Sequence, residues 1–281
     1  MPAGLPLYPD SNAEAPFAMS KVISTQPAAD EQSVALTRDF RLLQKRRGHR
    51  YSVDDMIVAH LAATYVASRG RPAPRQVLDL GCGLGSVLLI TAWAFPEATL
   101  VGLEALEEHV SFARRNIRLN GCEERVQIVA GDLRRLPLVD SLGRFELVTG
   151  SPPYFAKDSG TLCADPARAA AHFELRGGIE DYAQAASVAL AVGGLFATCA
   201  AADPPGRAAA AFEQAGLSLL YRRSVVPRPG KPPLLELLIG AVGSGPVDPG
   251  PLPEQGPPLI LRQRDGHRTP EHRAIREWTG L

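Results

Sequence analysis

Short apolar segments alternate with helical patterns through the middle of this 281-residue chain. The segments have the length and branched apolar content of buried strands, and they lie at residues 76–80, 99–103, 126–130 and 145–149. Helical stretches around 84–95 and 105–120 separate the first three. Strand–helix–strand repeats at this spacing predict a parallel sheet with helices on both faces.

The second half of the chain extends this pattern to seven strands. We predict a helix near 179–191, a strand at 194–199, a helix near 204–215 and strands at about 217–225 and 234–241. The segment VPRPGKPP that joins the last two strands is too short for a crossover and favours an antiparallel hairpin. The predicted fold class is α/β, with a seven-stranded, mostly parallel sheet and a C-terminal antiparallel hairpin.

Composition divides the chain into five expected segments. They are a disordered tail at 1–37, an N-terminal helical segment at 38–71, an α/β core at 72–241, a Pro/Gly loop at 242–258, and a strand with a basic helix at 259–281. The tail is rich in Pro, Ala and small polar residues, which bury too little apolar surface to order a chain. Ser52 or Asp54 is the expected N-cap of the first helix.

A glycine loop joins the first predicted strand to the helix that follows, in the sequence VLDLGCGLGS. Gly81, Gly83 and Gly85 permit a sharp turn and close approach to a ligand, and the helix N-terminus offers free amide donors. Cys82 lies inside this turn. Asp79 lies within the strand, where a buried carboxylate requires contact with a ligand's ammonium group or with the loop amides.

Further carboxylates end the next two strands. Glu104 follows Gly85 by 19 residues, where it can accept hydrogen bonds from both hydroxyls of a ribose. Asp132, in the sequence AGDL, can accept a hydrogen bond from an adenine amino group. The alternative for each motif alone is structural: a tight turn, a solvated strand end and a helix cap.

Taken together, these motifs resemble those of the class I S-adenosylmethionine (SAM)-dependent methyltransferases. The sequence D-L-G-C-G-x-G, an acid after the second strand and G-D after the third occur in the order usual for that family. The resemblance covers about 75–241 and implies a Rossmann-like fold with SAM as the cofactor. It implies that the cofactor is bound by Asp79, Gly81, Cys82, Gly83, Gly85, Glu104 and Asp132.

The fourth predicted strand ends in TGSPPYF, residues 149–155. Pro152 and Pro153 cannot continue a strand ladder, so they hold the chain in a stiff turn at the carboxyl edge of the sheet. Ligands of open α/β sheets bind at that edge. The alternative is a proline-stiffened loop without a catalytic role.

This segment resembles the [N/D/S]-P-P-[Y/F] motif of methyltransferases that modify a nitrogen conjugated to a planar group. The resemblance implies that Ser151 lies beside the cofactor and, with the Pro152 carbonyl, accepts hydrogen bonds from the target amino group. Tyr154 would stack on the target base and Phe155 would line the pocket. Asn or Asp is usual in adenine-specific and glutamine-specific versions, whereas Ser is more familiar from cytosine N4 enzymes, most of which place the motif before the glycine loop.

Sequence outside the core is similar to the bacterial tRNA1(Val) adenine-37 N6-methyltransferase family over about 38–276. The matching residues are Gly48, Arg50, Tyr51, Ser52, Asp54, Leu259, Leu261, Asp265 and Gly266. The chain departs from the family at Ser151 and in the sequence AHFE at 171–174, where A-R-H-E is usual. The resemblance implies adenine N6 of a tRNA as the target. Tyr51, Ser52 and Asp54 would close over the methionine end of the cofactor, or serve in the core and as a helix cap. His172 and Glu174 would line the pocket or be solvated.

Charge is unevenly distributed although Lys+Arg and Asp+Glu both number 30. Residues 38–50 carry six basic residues against one Asp, residues 221–231 four against none, and residues 262–276 five against two. We expect these segments to surround Ser151–Tyr154 and bind RNA phosphates, with Arg46, Arg47 and Arg50 among the contacts. The alternative is a set of separately solvated charges.

Three other functions remain open at this point. They are a protein glutamine N5-methyltransferase, a cytosine N4 or guanine N2 nucleic-acid methyltransferase, and a non-catalytic RNA-binding module. A glutamine enzyme is expected to carry a helical N-terminal domain, and about 35 structured residues are expected here before the first strand.

Compartment and metal content follow from what the chain lacks. The start lacks a signal-peptide pattern, and no stretch approaches a membrane span. Four cysteines without C-x-x-C spacing indicate free thiols. We expect a cytoplasmic protein with no membrane partner and, given the histidine spacing, no metal site. The sequence leaves the oligomeric state open.

Overall fold

The computed structural model describes residues 24–48, 50–154, 177–243 and 253–281. The strands in chain order are β1 Glu31–Ala35, β2 Arg41–Lys45, β3 Gln76–Leu80, β4 Thr99–Glu104, β5 Val126–Ala130, β6 Phe145–Gly150, β7 Leu190–Ala201, β8 Leu217–Val226, β9 Leu235–Val242, β10 Glu254–Gln255 and β11 Leu259–Ile260. The helices are α1 Val53–Ser68, α2 Ser86–Ala94, α3 Glu107–Leu119, α4 Leu136–Ser141, α5 Ile179–Ala189, α6 Arg207–Gln214 and α7 Pro270–Trp278.

Nine strands form the main sheet, in the order β10-β8-β9-β7-β6-β3-β4-β5, with β11 also paired to β8. The strands from β3 to β7 are parallel, whereas β9 is antiparallel to both β7 and β8. The α/β class, the mostly parallel sheet and the antiparallel hairpin are therefore confirmed. The count of seven strands is exceeded because two short strands, β10 and β11, extend the sheet beside β8.

Side-chain alternation along β3 shows how the sheet separates two apolar layers. Val77 packs with α1, α2 and α3 on one face, whereas Leu78 and Leu80 pack with α4, α5 and α6 on the other. Successive strand residues point to opposite faces, so an apolar run such as VLDL is buried on both sides. Asp79 faces the first layer in this scheme, and it is 1% exposed.

Strand β9 lies between β7 and β8, which determines where the end of β8 lies. Since β9 is antiparallel to both neighbours, β8 runs in the same direction as the parallel strands. The turn after β8 therefore lies at the carboxyl edge of the sheet, as does the end of β11, which is parallel to β8. The basic segments that follow these two strands are thereby brought to the edge that carries the SPPY segment.

The N-terminal boundary predicted from composition is wrong. Residues 31–35, assigned to the tail, form β1, which pairs antiparallel with β2. Arg115 of α3 binds Glu31 through two hydrogen bonds of 2.7 Å and also donates to the Ser24 and Gln26 carbonyls. These contacts order the segment without a large apolar surface of its own. Residues 1–23 lie outside the described residues, as do 244–252 of the Pro/Gly loop.

Asn116 fastens the β1–β2 hairpin to the core. Its side-chain amide donates to the carbonyls of Leu43 and Leu84, at 3.1 and 2.9 Å, and its oxygen accepts from the Leu43 amide at 2.6 Å. The residue is fully buried. One side chain on α3 therefore holds both β2 and the glycine loop. The helix that follows β2 begins after Ser52, as one of the two N-cap candidates predicted.

None of the helices among the described residues is long and apolar enough to cross a membrane.

Replacing Asn116 with Ala should lower the free energy of unfolding by about 3 kcal/mol, because it leaves buried backbone groups of Leu43 and Leu84 without partners. Urea unfolding measures this change. The control is Arg118→Ala on the same helix, whose exposed side chain lies 3.8 Å from Glu123. It should cost less than about 0.5 kcal/mol. Equal losses in the two variants would contradict the role given to Asn116.

Candidate active site

The glycine loop forms the floor of a cavity at the carboxyl edge of β3. Gly81, Gly83 and Gly85 have φ angles of 59°, 55° and 88°, in the left-handed region that favours glycine. A Cβ on Gly81 would also collide with the Tyr182 hydroxyl. Cys82 is buried in the turn, and its amide donates to the Leu103 carbonyl at 3.0 Å. The loop therefore keeps its backbone against the cavity, at the start of α2.

Glu104 ties the loop to the end of β4. Its two carboxylate oxygens accept hydrogen bonds from the Gly83 amide at 2.9 Å and the Leu106 amide at 2.7 Å. The residue is 6% exposed and lines the cavity. Because a carboxylate oxygen can accept more than one hydrogen bond, this arrangement fixes Glu104 and leaves acceptor capacity for a ribose. His109 Nδ1 lies 3.9 Å from the same carboxylate.

Asp79 is a buried carboxylate with an unsatisfied oxygen. Its Oδ1 accepts a hydrogen bond from Thr149 Oγ1 at 2.8 Å, while its Oδ2 has no hydrogen-bond partner among the described residues. Burial, together with a smaller contribution from the nearby Asp55 carboxylate, raises the pKa of Asp79 to about 7. A ligand cation in the cavity would supply the missing partner.

Several apolar side chains line the cavity near Glu104. They are Leu103, Ala105, Leu106 and Leu133, and Asp132 lines the same cavity. Arg134 holds Asp132 through hydrogen bonds to both carboxylate oxygens. Apolar side chains together with one carboxylate suit an adenine ring and its amino group.

The SPPY segment lies beside the loop, since Leu80 and Gly150 are paired at the ends of β3 and β6. Ser151, Pro152, Pro153 and Tyr154 all line the same cavity as Asp79 and Glu104. Tyr154 is half-buried, and burial beside the carboxylates of α1 raises the pKa of its hydroxyl above the usual 10, so it remains protonated. Phe155, His172 and Glu174 lie outside the described residues.

Residues at the start of α1 complete the cavity. Ser52, Asp54, Asp55 and Arg50 line it. Of these, sequence analysis did not single out Asp55. The pattern S-x-x-D at 52–55 is the signal that could have found it, because a carboxylate at the third helical position accepts a hydrogen bond from the N-cap amide. Its Oδ2 does so, from the Ser52 amide at 3.1 Å.

Tyr182 of α5 was also missed. It is 5% exposed, lines the cavity, and packs against Gly81 and Gly150 so closely that a Cβ on either glycine would collide with it. A tyrosine in an amphipathic helix carries no distinguishing pattern, so no sequence signal identifies this role.

Arg46 and Arg47 are exposed in the turn after β2, outside the cavity lining. Lys45, just before them, forms an ion pair with Glu108 in the first turn of α3, at the carboxyl edge. Of the three arginines expected to bind substrate, Arg50 alone lines the cavity itself. Within the described part of the chain, no group of three or more His, Cys, Asp or Glu side chains could hold a metal ion.

Comparison with known proteins identifies the kind of domain to which this cavity belongs. Residues 77–164 match the family model described as "Methyltransferase domain". A tRNA1(Val) (adenine(37)-N6)-methyltransferase from Porphyromonas gingivalis is 33% identical over 29% of this chain and 33% of that protein. The ribosomal protein uL3 glutamine methyltransferase of Bradyrhizobium diazoefficiens is 32% identical over 38% of this chain and 33% of its own length. A release factor glutamine methyltransferase from Bordetella pertussis is 34% identical over 40% of this chain and 38% of its own length. The chain thus spans about a third of the length of the curated relatives it matches.

Solved structures agree on the fold. A predicted O-methyltransferase from Agrobacterium tumefaciens superposes with a TM-score of 0.56 at 21% identity, covering 80% of this chain and 95% of that one. The match over residues 77–164 confirms the predicted methyltransferase domain and, with it, SAM as the cofactor. The solved structure confirms the Rossmann-like fold. SAM carries an ammonium and a sulfonium group, so the unsatisfied carboxylate of Asp79 fits this cofactor.

Replacing Asp79 with Asn should raise the dissociation constant of SAM about 30-fold, because a hydrogen bond between charged groups is lost. Between pH 5.5 and 7.5, wild-type affinity should increase with pH, since the cations of SAM favour the ionised form of a carboxyl whose pKa is about 7. The variant should show a weaker dependence. Isothermal titration calorimetry measures both effects. The control is Asp140→Asn, at an exposed residue that pairs with Arg144.

The free energy of unfolding should depend on pH in the opposite direction to SAM affinity. The pKa of Asp79 in the folded protein lies above the ordinary 3.8, so folding retains a proton that the unfolded chain has lost. This group therefore makes stability fall as the pH rises from about 4 to about 7. The difference in unfolding free energy between pH 5 and pH 8, measured without SAM, should shrink in Asp79→Asn. An unchanged difference would contradict the assigned pKa.

Proposed function

We propose that this protein transfers the methyl group of SAM to an exocyclic amino nitrogen, and that its target is adenine N6 of a tRNA. The observation that carries the proposal is that Ser151–Tyr154 and Asp79 line one cavity, with exposed basic residues from three segments at the same edge of the sheet. The tRNA methyltransferase from Porphyromonas gingivalis supports it.

Ser151 and Pro152 offer two oxygens to an amino group. The lone pair of an exocyclic nitrogen is delocalised into its ring, so the nitrogen is a weak nucleophile. Hydrogen bonds from its two protons to the Ser151 hydroxyl and the Pro152 carbonyl would localise that lone pair and stabilise the positive charge that develops. In-line placement against the sulfonium supplies much of the remaining rate enhancement. SAM itself supplies the electrophilic methyl group.

Tyr154 supports a planar target. The side chain is half-buried at the cavity wall, and its hydroxyl stays neutral. A neutral aromatic ring of this kind can stack on any of the four bases, because each base has a π-face. Selectivity among bases therefore depends on the amino-group acceptors rather than on Tyr154.

Exposed basic residues flank the cavity at the carboxyl edge. The Leu261 amide bonds to the Val226 carbonyl, at 2.9 Å, and the Arg262 amide bonds to the Pro227 carbonyl, at 3.1 Å, so the turns after β8 and β11 lie side by side. The exposed basic residues of this edge include Arg46, Arg47, Arg50, Arg228, Lys231, Arg262, Arg264 and Arg268. Strand β8 is three strands from β6, about 14 Å at ordinary strand spacing. A backbone with a phosphate at each nucleotide can span that distance.

Some basic residues that the sequence analysis assigned to RNA binding do not belong to this surface. Arg222 pairs with Glu236 and Arg223 with Glu271, each at 2.5 Å. Arg38 stacks on Trp93 at the end of α2, which is the opposite edge of the sheet. Their charges are therefore neutralised or distant, and the surface is smaller than the three segments suggest.

A protein glutamine N5-methyltransferase is the second candidate. Two of the curated relatives carry that activity in their names, one for a ribosomal protein and one for a release factor. A side-chain amide is also a delocalised nitrogen that SPPY could hold. We favour RNA because eight exposed basic residues lie at the carboxyl edge, which suits a polyanion better than a peptide loop.

The deciding experiment incubates the protein with SAM labelled in its methyl group and with separate pools of tRNA, ribosomal RNA and cytosolic protein. Label in tRNA that digests to N6-methyladenosine is the expected result. Label confined to protein would overturn the proposal in favour of glutamine methylation. Label in N4-methylcytosine or N2-methylguanosine would retain amino methylation but reject adenine.

The single variants Ser151→Ala and Tyr154→Ala should each lower kcat about 30-fold, because both residues contact the methyl acceptor. Each should change the dissociation constant of SAM less than threefold. Single-turnover kinetics and calorimetry measure the two quantities. If SAM binding collapses instead, the assignment of the SPPY segment to the acceptor is wrong.

Charge reversal at the edge tests the RNA surface. Arg228→Glu with Lys231→Glu should weaken tRNA binding at least tenfold and make the dependence of log K on log salt shallower by about two. Filter binding over a salt series measures this. The control is Arg118→Glu with Arg144→Glu, which makes the same change in net charge at the opposite edge. Equal weakening by the two double variants would contradict a localised RNA surface.

A further inference from the structure

The hydroxyl of Tyr182 is a hydrogen-bond donor that the protein itself does not use. Tyr182 lies in the first turn of α5, is 5% exposed and lines the cavity. Its hydroxyl makes no hydrogen bond among the described residues, but unlike Asp79 Oδ2 it is not sealed from solvent. The small exposed part of this side chain therefore includes the hydroxyl, which faces the cavity.

Two glycines determine where this hydroxyl lies. The ring packs against Gly150, the last residue of β6, and the hydroxyl packs against Gly81, the first residue after β3. A Cβ on either glycine would collide with the side chain. Burial, together with the nearby carboxylates of Glu104 and Asp79, raises the pKa of Tyr182 well above its usual value, so the hydroxyl keeps its proton. Tyr182 therefore presents a neutral donor between the glycine loop and SPPY.

The three serine hydroxyls of the cavity lining already have partners within the protein. They pair as Ser52 with Asp54, Ser86 with Asp55, and Ser151 with Cys199. Each of these hydroxyls would have to give up its partner in order to donate to a ligand. Tyr182 can donate to a ligand without such a loss, because its hydroxyl has no partner among the described residues.

Three amides of the glycine loop are used within the protein as well. Those of Cys82, Gly83 and Gly85 donate to other groups of the chain at distances of 3.0, 2.9 and 2.8 Å. The glycine loop thus shapes the cavity but commits these three donors to its own structure. An anionic group of a ligand needs a donor from elsewhere in the lining.

SAM carries such an anionic group, because its α-carboxylate is attached to the same carbon as its ammonium. An ammonium beside Asp79 therefore brings the carboxylate into a cavity that five acidic residues line: Asp54, Asp55, Asp79, Glu104 and Asp132. An anion buried there without donors is strongly unfavourable. Arg50 is the one Lys or Arg in the described lining, and it is exposed to solvent.

We propose that the Tyr182 hydroxyl binds the carboxylate of the methionine part of SAM, while Asp79 binds the ammonium. A buried donor and a buried acceptor thus recognise the two charged groups of an α-amino acid. The hydrogen bond to a carboxylate is charge-assisted, which makes it stronger than one between neutral groups. This role concerns the cofactor alone and is the same whether the methyl acceptor is RNA or protein.

The variant Tyr182→Phe removes the hydroxyl and keeps the ring that packs against Gly81 and Gly150. We expect the dissociation constant of SAM to rise about 20-fold, because a hydrogen bond to a charged group is lost. Decarboxylated SAM lacks the acceptor, so its dissociation constant should change less than about twofold. Isothermal titration calorimetry measures both values. An unchanged dissociation constant for SAM would overturn the proposal, as would equal weakening of the two ligands.

A second tyrosine and a stability measurement control for structural effects. Tyr221→Phe removes the hydroxyl of a partly buried tyrosine outside the cavity lining and should change neither dissociation constant. Without ligand, Tyr182→Phe should unfold at no lower temperature than the wild type, because the hydroxyl has no partner to lose. A lower melting temperature would show that the hydroxyl is bonded within the protein, and would overturn the proposal.

Carbon NMR of the wild type tests the contact without a substitution. The chain has six tyrosines, and with a label at tyrosine Cζ the signal of Tyr182 is the one missing from Tyr182→Phe. Saturating SAM should shift this signal more than saturating decarboxylated SAM does. Equal shifts would overturn the assignment to the carboxylate. These measurements need no methyl acceptor, so a failure to methylate RNA would reject the proposed function alone.

Discussion

The hydrogen bond between Asp79 and Thr149 joins the two strands that carry the chemistry. Asp79 is an acidic residue among the apolar side chains of the sheet, and this hydrogen bond satisfies one of its two carboxylate oxygens. The strand with the glycine loop and the strand with SPPY are thereby held in register at the edge where they end. Burying the second oxygen without a partner destabilises the protein in the absence of its cofactor. A bound cation would remove this desolvation penalty, so the buried carboxylate favours binding of a cation.

Local periodicity made the core predictable. The strands β3 to β9 and the helices α2, α3, α5 and α6 have apolar patterns that short stretches of sequence reveal. The glycine loop, Glu104 and Asp132 lie directly at strand ends. The antiparallel hairpin followed from the shortness of one connection. The two-residue strands β10 and β11 have no such pattern, because their pairing with β8 depends on where the chain returns after the core.

The features that sequence reasoning missed depend on long-range contacts. The β1–β2 hairpin is ordered by Arg115 and Asn116, more than 70 residues away, and its own composition resembles a tail. The sequence indicates that Asp55 can cap α1, but it does not show the hydrogen bond from Ser86 to Asp55. The basic segments show the same limit, since Glu236 and Glu271 neutralise charges that a count along the sequence treats as available. Spacing identifies which residues can act, and packing decides which of them do.

The insertion of β9 between β7 and β8 separates the basic turns of the carboxyl edge from the glycine loop. Because β8 runs with the parallel strands, residues 227–234 make a short turn that projects from the functional edge and packs beside the turn after β11. Neither turn lines the cavity beside the glycine loop. Insertions or charge changes there leave the glycine loop and Asp79 undisturbed. A lineage of such enzymes can therefore change what docks at its rim by altering two surface turns, while the methyl-donor half of the domain is inherited intact.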